Sequence, residues 1–196
     1  MAVLAFVAYG CDEGPTATGP SSNGVPIRGQ VLDFSTQAGV SGVVVQIGET
    51  PATTDASGFY AMSMPVVRSI SFTVSVDGVS VGTARVTGST YRGDLLIDRG
   101  TCVSRYGTLA DARTLRPVAG AAVSVGTGTA TVPNSRTTVS GPDGWYRVDL
   151  GCPANGLAGF NTTLLYVAHP NYASRQEVVG RGVHGVRRLD LDLQRR

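Results

Sequence analysis

Three short blocks occur twice in this chain, in the same order, and that duplication limits what it can fold into. The first copy has Arg28-Gly29-Gln30-Val31-Leu32-Asp33, then Ala38-Gly39-Val40-Ser41-Gly42-Val43-Val44-Val45, then Thr54-Asp55-Ala56-Ser57-Gly58-Phe59-Tyr60. The second has Tyr106-Gly107-Thr108-Leu109-Ala110-Asp111, then Arg116-Pro117-Val118-Ala119-Gly120-Ala121-Ala122-Val123, then Gly141-Pro142-Asp143-Gly144-Trp145-Tyr146. Copy two carries an insertion before its Asp-Gly turn, where a loop tolerates it. Two copies in 196 residues mean two small domains rather than one large one.

Within each copy the apolar residues alternate. Val43, Val45 and Ile47 share one face, Phe72, Val74 and Val76 another, and Tyr60, Met62 and Met64 a third. Tyr146, Val148 and Leu150, and Leu189, Leu191 and Leu193, repeat the pattern in copy two. A period of two marks half-buried strands. Asp77-Gly78, Ala56-Ser57-Gly58 and Pro142-Asp143-Gly144 are turn signals between them. No convincing amphipathic helix of ten or more residues is present, and Leu109 to Leu115 reads as strand and loop. The predicted fold is all-β: two tandem antiparallel β-sandwiches of about seven strands each, over 26–98 and 101–194. A sandwich as small as the first buries only about 60–65% of its unfolded surface. It is therefore expected to lean on the second across the short joint Asp98-Arg99-Gly100-Thr101.

The blocks resemble the carboxypeptidase regulatory-like domain, a transthyretin-like (prealbumin-like) sandwich related in shape to immunoglobulin-like domains. The resemblance covers both copies, with Gly39 standing where that family often has Pro. It implies a non-catalytic protein that folds, spaces or binds at the cell envelope, without a cofactor. Some adhesin relatives carry a Lys–Asn crosslink, but this chain has no Lys. The same absence removes Schiff-base and phosphate-loop lysine chemistry. Tyr91-Arg92-Gly93-Asp94 echoes the Tyr-Arg-Gly-Ser ending of hydroxyisourate hydrolase, an enzyme of this fold. It lies at the wrong place and lacks the Ser, so that reading is set aside.

Residues Ala2 to Tyr9 are apolar throughout, too short to span a bilayer but fitting the apolar region of a signal peptide. The usual positive n-region is missing, which leaves a leader with a late start codon or a buried strand. Residues 1–11 resemble a lipobox, with Cys11 as the lipidation site. Residues 12–25 form a flexible linker rich in Gly, Pro, Ser and Thr. The expected location is therefore exported: outer membrane, cell surface or periplasm, touching the membrane only through a lipid anchor.

The remaining cysteines, Cys102 and Cys152, lack a neighbour at metal-ligand spacing. In an exported chain they are expected to pair, the alternative being two reduced buried thiols. Two histidines, His169 and His184, leave an alternative open, a small metal-dependent hydrolase completed by Asp190 or Asp192. The main reading assigns no metal and no catalytic residue. Asp190 and Asp192 otherwise read as a solvated face with local pairing to Arg187 and Arg188. Phe59 and Trp145 follow equivalent turns and point away from the core-facing Tyr60 and Tyr146. They form a candidate platform for a sugar ring or a protein partner, and packing against the neighbouring copy is the other reading. This leaves a carbohydrate-binding or adhesin-like module as a further alternative. The net charge of +2 argues against nucleic acid and leaves a cell-envelope protein or polysaccharide as the expected partner. The Arg residues concentrate after residue 98, so the basic half is a candidate contact for anionic polymers.

Overall fold

The computed structural model describes residues 24–65, 71–86, 92–98, 102–127, 136–152, 162–180 and 185–196. The lipobox with Cys11, the linker up to residue 23, the joint residues 99–101 and His184 lie outside the described residues. The described residues are strands and turns with no helix, so the all-β expectation holds.

Copy one contributes β1 (Gly24–Asp33), β2 (Val44–Ile47), β3 (Thr50–Thr53), β4 (Phe59–Pro65), β5 (Ser71–Val76), β6 (Val79–Arg85) and β7 (Leu95–Ile97). A three-stranded sheet, β4-β1-β7, faces the strands β6-β5-β2-β3. Between them lies a core built from the alternating residues, including Ile27, Val45, Ile47, Tyr60, Met64 and Val74. In β2 the alternation is literal, with Val45 and Ile47 buried and Val44 and Gln46 exposed.

Copy two repeats the plan with β8 (Val103–Asp111), β9 (Ala122–Thr127), β10 (Arg136–Val139), β11 (Trp145–Gly151), β12 (Thr162–His169) and β13 (Tyr172–Gly180). Its last strand is split into β14 (Val186–Leu189) and β15 (Leu191–Leu193). The strands β10-β9-β12-β13 face β11-β8 with β14 and β15. Its core includes Leu109, Val123, Val125, Tyr146, Leu165 and Leu191.

The repeated blocks make the same local structures. In the third block the Asp55 carboxylate accepts the Ser57 and Phe59 N–H groups at 2.8 and 2.9 Å, and Asp143 accepts that of Trp145 at 3.0 Å. Gly58 and Gly144 take φ of 82° and 75° in these turns, a region that favours glycine. A Cβ on either would also press on a backbone carbonyl, Val31 O at 2.7 Å or Leu109 O at 2.4 Å. Ahead of each turn a hydroxyl ties two strand ends together. Thr54 accepts from Val43 N and donates to Val40 O, and Ser140 accepts from Ala121 N and donates to Val118 O.

Candidate functional site

The most elaborate chemistry lies where the copies meet. β14 pairs with β8 of its own copy and, on its other side, with β6 of copy one, both in parallel. One continuous sheet, β11-β8-β14-β6-β5-β2-β3, therefore runs through both sandwiches. Gly82 on β6 makes this possible. Its φ is 140°, and a Cβ there would stand 2.0 Å from Arg188 O.

Arg188 fills the space behind that pairing and is fully buried. Its guanidinium donates to Asp94 O and Arg92 O, both at 2.6 Å, and to the Asp190 carboxylate at 3.2 Å. Asp190 in turn accepts the backbone N–H of Thr108 from copy two and that of Arg85 from copy one, each at 2.9 Å. Each of these hydrogen-bond partners is a carboxylate, a carbonyl or a backbone N–H matched in charge, which is what a buried ion pair requires. The solvated face expected for Asp190 and Asp192 is corrected here. Both are buried, because copy one covers that face of the strand. Asp192 pairs with Arg85, and burial raises its pKa against the opposing pull of Arg85 and Arg175.

A small apolar cluster seals the joint: Phe34 and Leu96 of copy one with Cys102, Tyr106 and Val186 of copy two. The Tyr106 hydroxyl accepts from Leu96 N at 2.9 Å, and burial pushes the phenol up to about 12. Trp145 packs on this cluster. Its ring lies 5.6 Å from that of Tyr106, with the Arg92 guanidinium 4.3 Å from its centroid. Arg147 stacks on Phe34 at 4.7 Å. Of the two expected platform rings, Trp145 is thus half-buried in the joint, while Phe59 is 53% exposed. Tyr166 on β12 is a further exposed ring that the sequence reading did not single out.

Cys102 and Cys152 are joined as a disulfide, linking the start of β8 to the residue after β11. The Asp98 carboxylate accepts the Cys102 N–H at 2.9 Å. His169 accepts the Asn171 N–H at 3.1 Å and stands edge-on to Tyr172. Among the described residues no group of three or more His, Cys, Asp or Glu is placed to hold a metal ion.

The structure also pairs a fourth block that the sequence reading missed. Arg92-Gly93-Asp94-Leu95 and Arg188-Leu189-Asp190-Leu191 hold equivalent places. The Tyr60 hydroxyl donates to Gly93 O as that of Tyr146 does to Leu189 O. Asp94 accepts the Gln30 N–H as Asp190 accepts that of Thr108. The Arg-x-Asp-Leu repeat was the available signal.

No family model matches the chain, and no curated protein matches it. The resemblance to the carboxypeptidase regulatory-like domain thus rests on the motif blocks alone. Among solved structures, the Bacillus anthracis TIE protein is similar over 88% of this chain and 34% of its own, at 9% identity and TM-score 0.37. A streptococcal ancillary pilin is similar over 90% of this chain and 63% of its own, at 12% identity and TM-score 0.34. Hydroxyquinol 1,2-dioxygenase from Pseudomonas putida is similar over 50% of this chain and 57% of its own, at 13% identity and TM-score 0.34. The chain thus spans less than two thirds of the length of each. The last finding corrects the expectation that the chain is no enzyme: dioxygenases stand among its structural neighbours, and that exclusion is withdrawn. At these TM-scores the likeness transfers no activity either.

Proposed function

We propose that this chain is an exported, lipid-anchored module in which two carboxypeptidase regulatory-like sandwiches act as one rigid unit, binding or spacing at the cell envelope. The observation that carries it is the continuous sheet through β14 and β6, which makes the pair stiff where a linker would let it tumble. Cys11 holds the lipid, and residues 12–23 give reach between membrane and sandwich, the expected linker ending before Gly24 and Val25, which open β1. The disulfide supports an oxidising compartment. A cell-envelope protein or polysaccharide is the partner class, and the exposed Phe59 ring offers a stacking surface with Trp145 braced beside Arg92.

Expression in a bacterial host with the native upstream sequence, followed by mass spectrometry and fractionation, tests the anchor. The expected result is a diacylglycerol-modified Cys11 in the membrane fraction. Unmodified Cys11 in a cytosolic protein overturns the reading. Glycan-array binding that disappears in Phe59→Ala supports the polysaccharide partner, and binding unchanged by that substitution removes Phe59 from the site.

A further inference from the structure

The two sandwiches differ sharply at one end of their cores. In copy one the inward position on β1 is Ile27, fully buried among apolar side chains. The same position on β8 is Arg105, also fully buried. Repeat and register agree on this equivalence, since Gly29 pairs with Tyr60 and Gly107 with Tyr146. The residue facing it differs too: copy one packs Phe72 there, and copy two has Thr163.

A buried guanidinium needs a counter-charge, and Arg105 has none among the described residues. Its Nε donates to the Thr163 hydroxyl at 2.8 Å, and its Nη1 donates to the carbonyls of Ser104 and Gly185. Its Nη2 is buried without a partner. The acid on the adjoining strand, Asp149, accepts from Ser104 Oγ at 2.7 Å and from Arg147 Nε at 2.8 Å. Glu177 on β13 is held by Arg175. In the sequence, residues 128–135, 153–161 and 181–184 contain no Asp or Glu.

A second cation makes the imbalance worse. Arg187 lies directly across from Arg105 in the parallel β8–β14 register, so the two side chains share a face. Like charges set opposite each other repel. Burial first, and then Arg187, lower the Arg105 pKa to about 10.

We infer that Arg105 and Arg187 form an anion site at this end of sandwich two, taking an anionic oxygen of a carboxylate or phosphate group. Arg105 Nη2 supplies the unused hydrogens, Arg187 the second positive charge, and Thr163 fixes the Arg105 fork. In copy one the equivalent positions are the apolar Ile27 and Phe72.

Thermal unfolding of the full chain in acetate, in inorganic phosphate and in chloride, at matched ionic strength, tests this. A saturable rise of about 5–10 °C at a hundredfold excess over Kd is expected with an oxyanion and not with chloride. Acetate acting alone indicates a carboxylate source, and phosphate acting alone a phosphoryl source. The rise should vanish in Arg105→Ile combined with Thr163→Phe, as copy one fills the position. Arg187→Met, on a half-buried residue, should weaken the response at least tenfold in concentration even where the core variant fails to fold. No oxyanion-specific rise in the wild-type chain, or an undiminished rise in Arg187→Met, overturns the site.

Discussion

Strands β6 and β13 hold the same place in their sandwiches and end differently. Gly82 pairs with Val74 and through it with Ile47, and Glu177 pairs with Leu165 and through it with Val125. Where β6 has a glycine that admits β14, β13 has a carboxylate bound by Arg175 at 2.8 Å. An inward charge on an edge strand discourages further pairing. Sandwich two instead closes its own side. Arg175 reaches Asp192 O at 2.7 Å, and the C-terminal residues pair with the start of β13. Sandwich one has its side closed by its neighbour, through β14 and Arg188. One half is self-sufficient and the other is completed by contact.

This asymmetry is most directly broken by cutting the chain. A fragment of residues 102–196 is expected to unfold cooperatively in urea, and a fragment of residues 24–98 to show no cooperative transition. Two independent, equally cooperative fragments would remove the dependence. Next in size, Arg188→Ala strips Asp190 of its buried partner and should cost about 3–5 kcal/mol, seen as a lower urea midpoint of the full chain. Copy one should then melt ahead of copy two. Reduction of Cys102–Cys152 releases a loop of about 50 residues worth roughly 4 kcal/mol in the chain-entropy model. The disulfide lies wholly within copy two, so copy two should lose the protection. A shift confined to copy one in hydrogen exchange would contradict this assignment.

Smaller effects sharpen the likeness between the copies. Thr54→Ala and Ser140→Ala each delete the same pair of hydrogen bonds and should destabilise by similar amounts, about 1–3 kcal/mol. Unequal losses measured by urea titration would show that the two ties are not equivalent. The smallest effect is in pH. The Arg195 guanidinium beside Asp111, with the Thr114 N–H, holds its carboxyl well below the usual range. A depressed carboxylate stabilises the fold above its unfolded pKa of about 3.9, and that stability is lost as pH falls further. Arg195→Ala should flatten this part of the acid unfolding curve.

Most of the fold could be read from the sequence because its apolar pattern is periodic and repeated. The alternation in Val43 to Ile47 and the matched turns that end in Gly58-Phe59-Tyr60 and Gly144-Trp145-Tyr146 needed no tertiary information. The joint was harder. Asp190 and Asp192 alternate with leucines, as polar residues on a wet sheet face do, and only the docked neighbour makes them buried. Trp145 and Phe59 stand after equivalent turns, yet the insertion of Tyr106 and Arg92 around one ring separates their fates. Arg105 was legible in principle, since laying Tyr106-Gly107 over Arg28-Gly29 sets it against Ile27. Its significance needed the third dimension, where its hydrogen-bond partners could be counted against its charge.

The pairing of β6 with β14 joins residues 79–85 to residues 186–189, and this orders events in time. During synthesis copy one emerges with a raw edge whose complement follows only about a hundred residues later. Long-range parallel pairing is slow, and an uncovered strand recruits strangers. A nascent chain that stalls before Val186 would carry a surface prone to self-association, so the arrival of β14 acts as its release from that hazard.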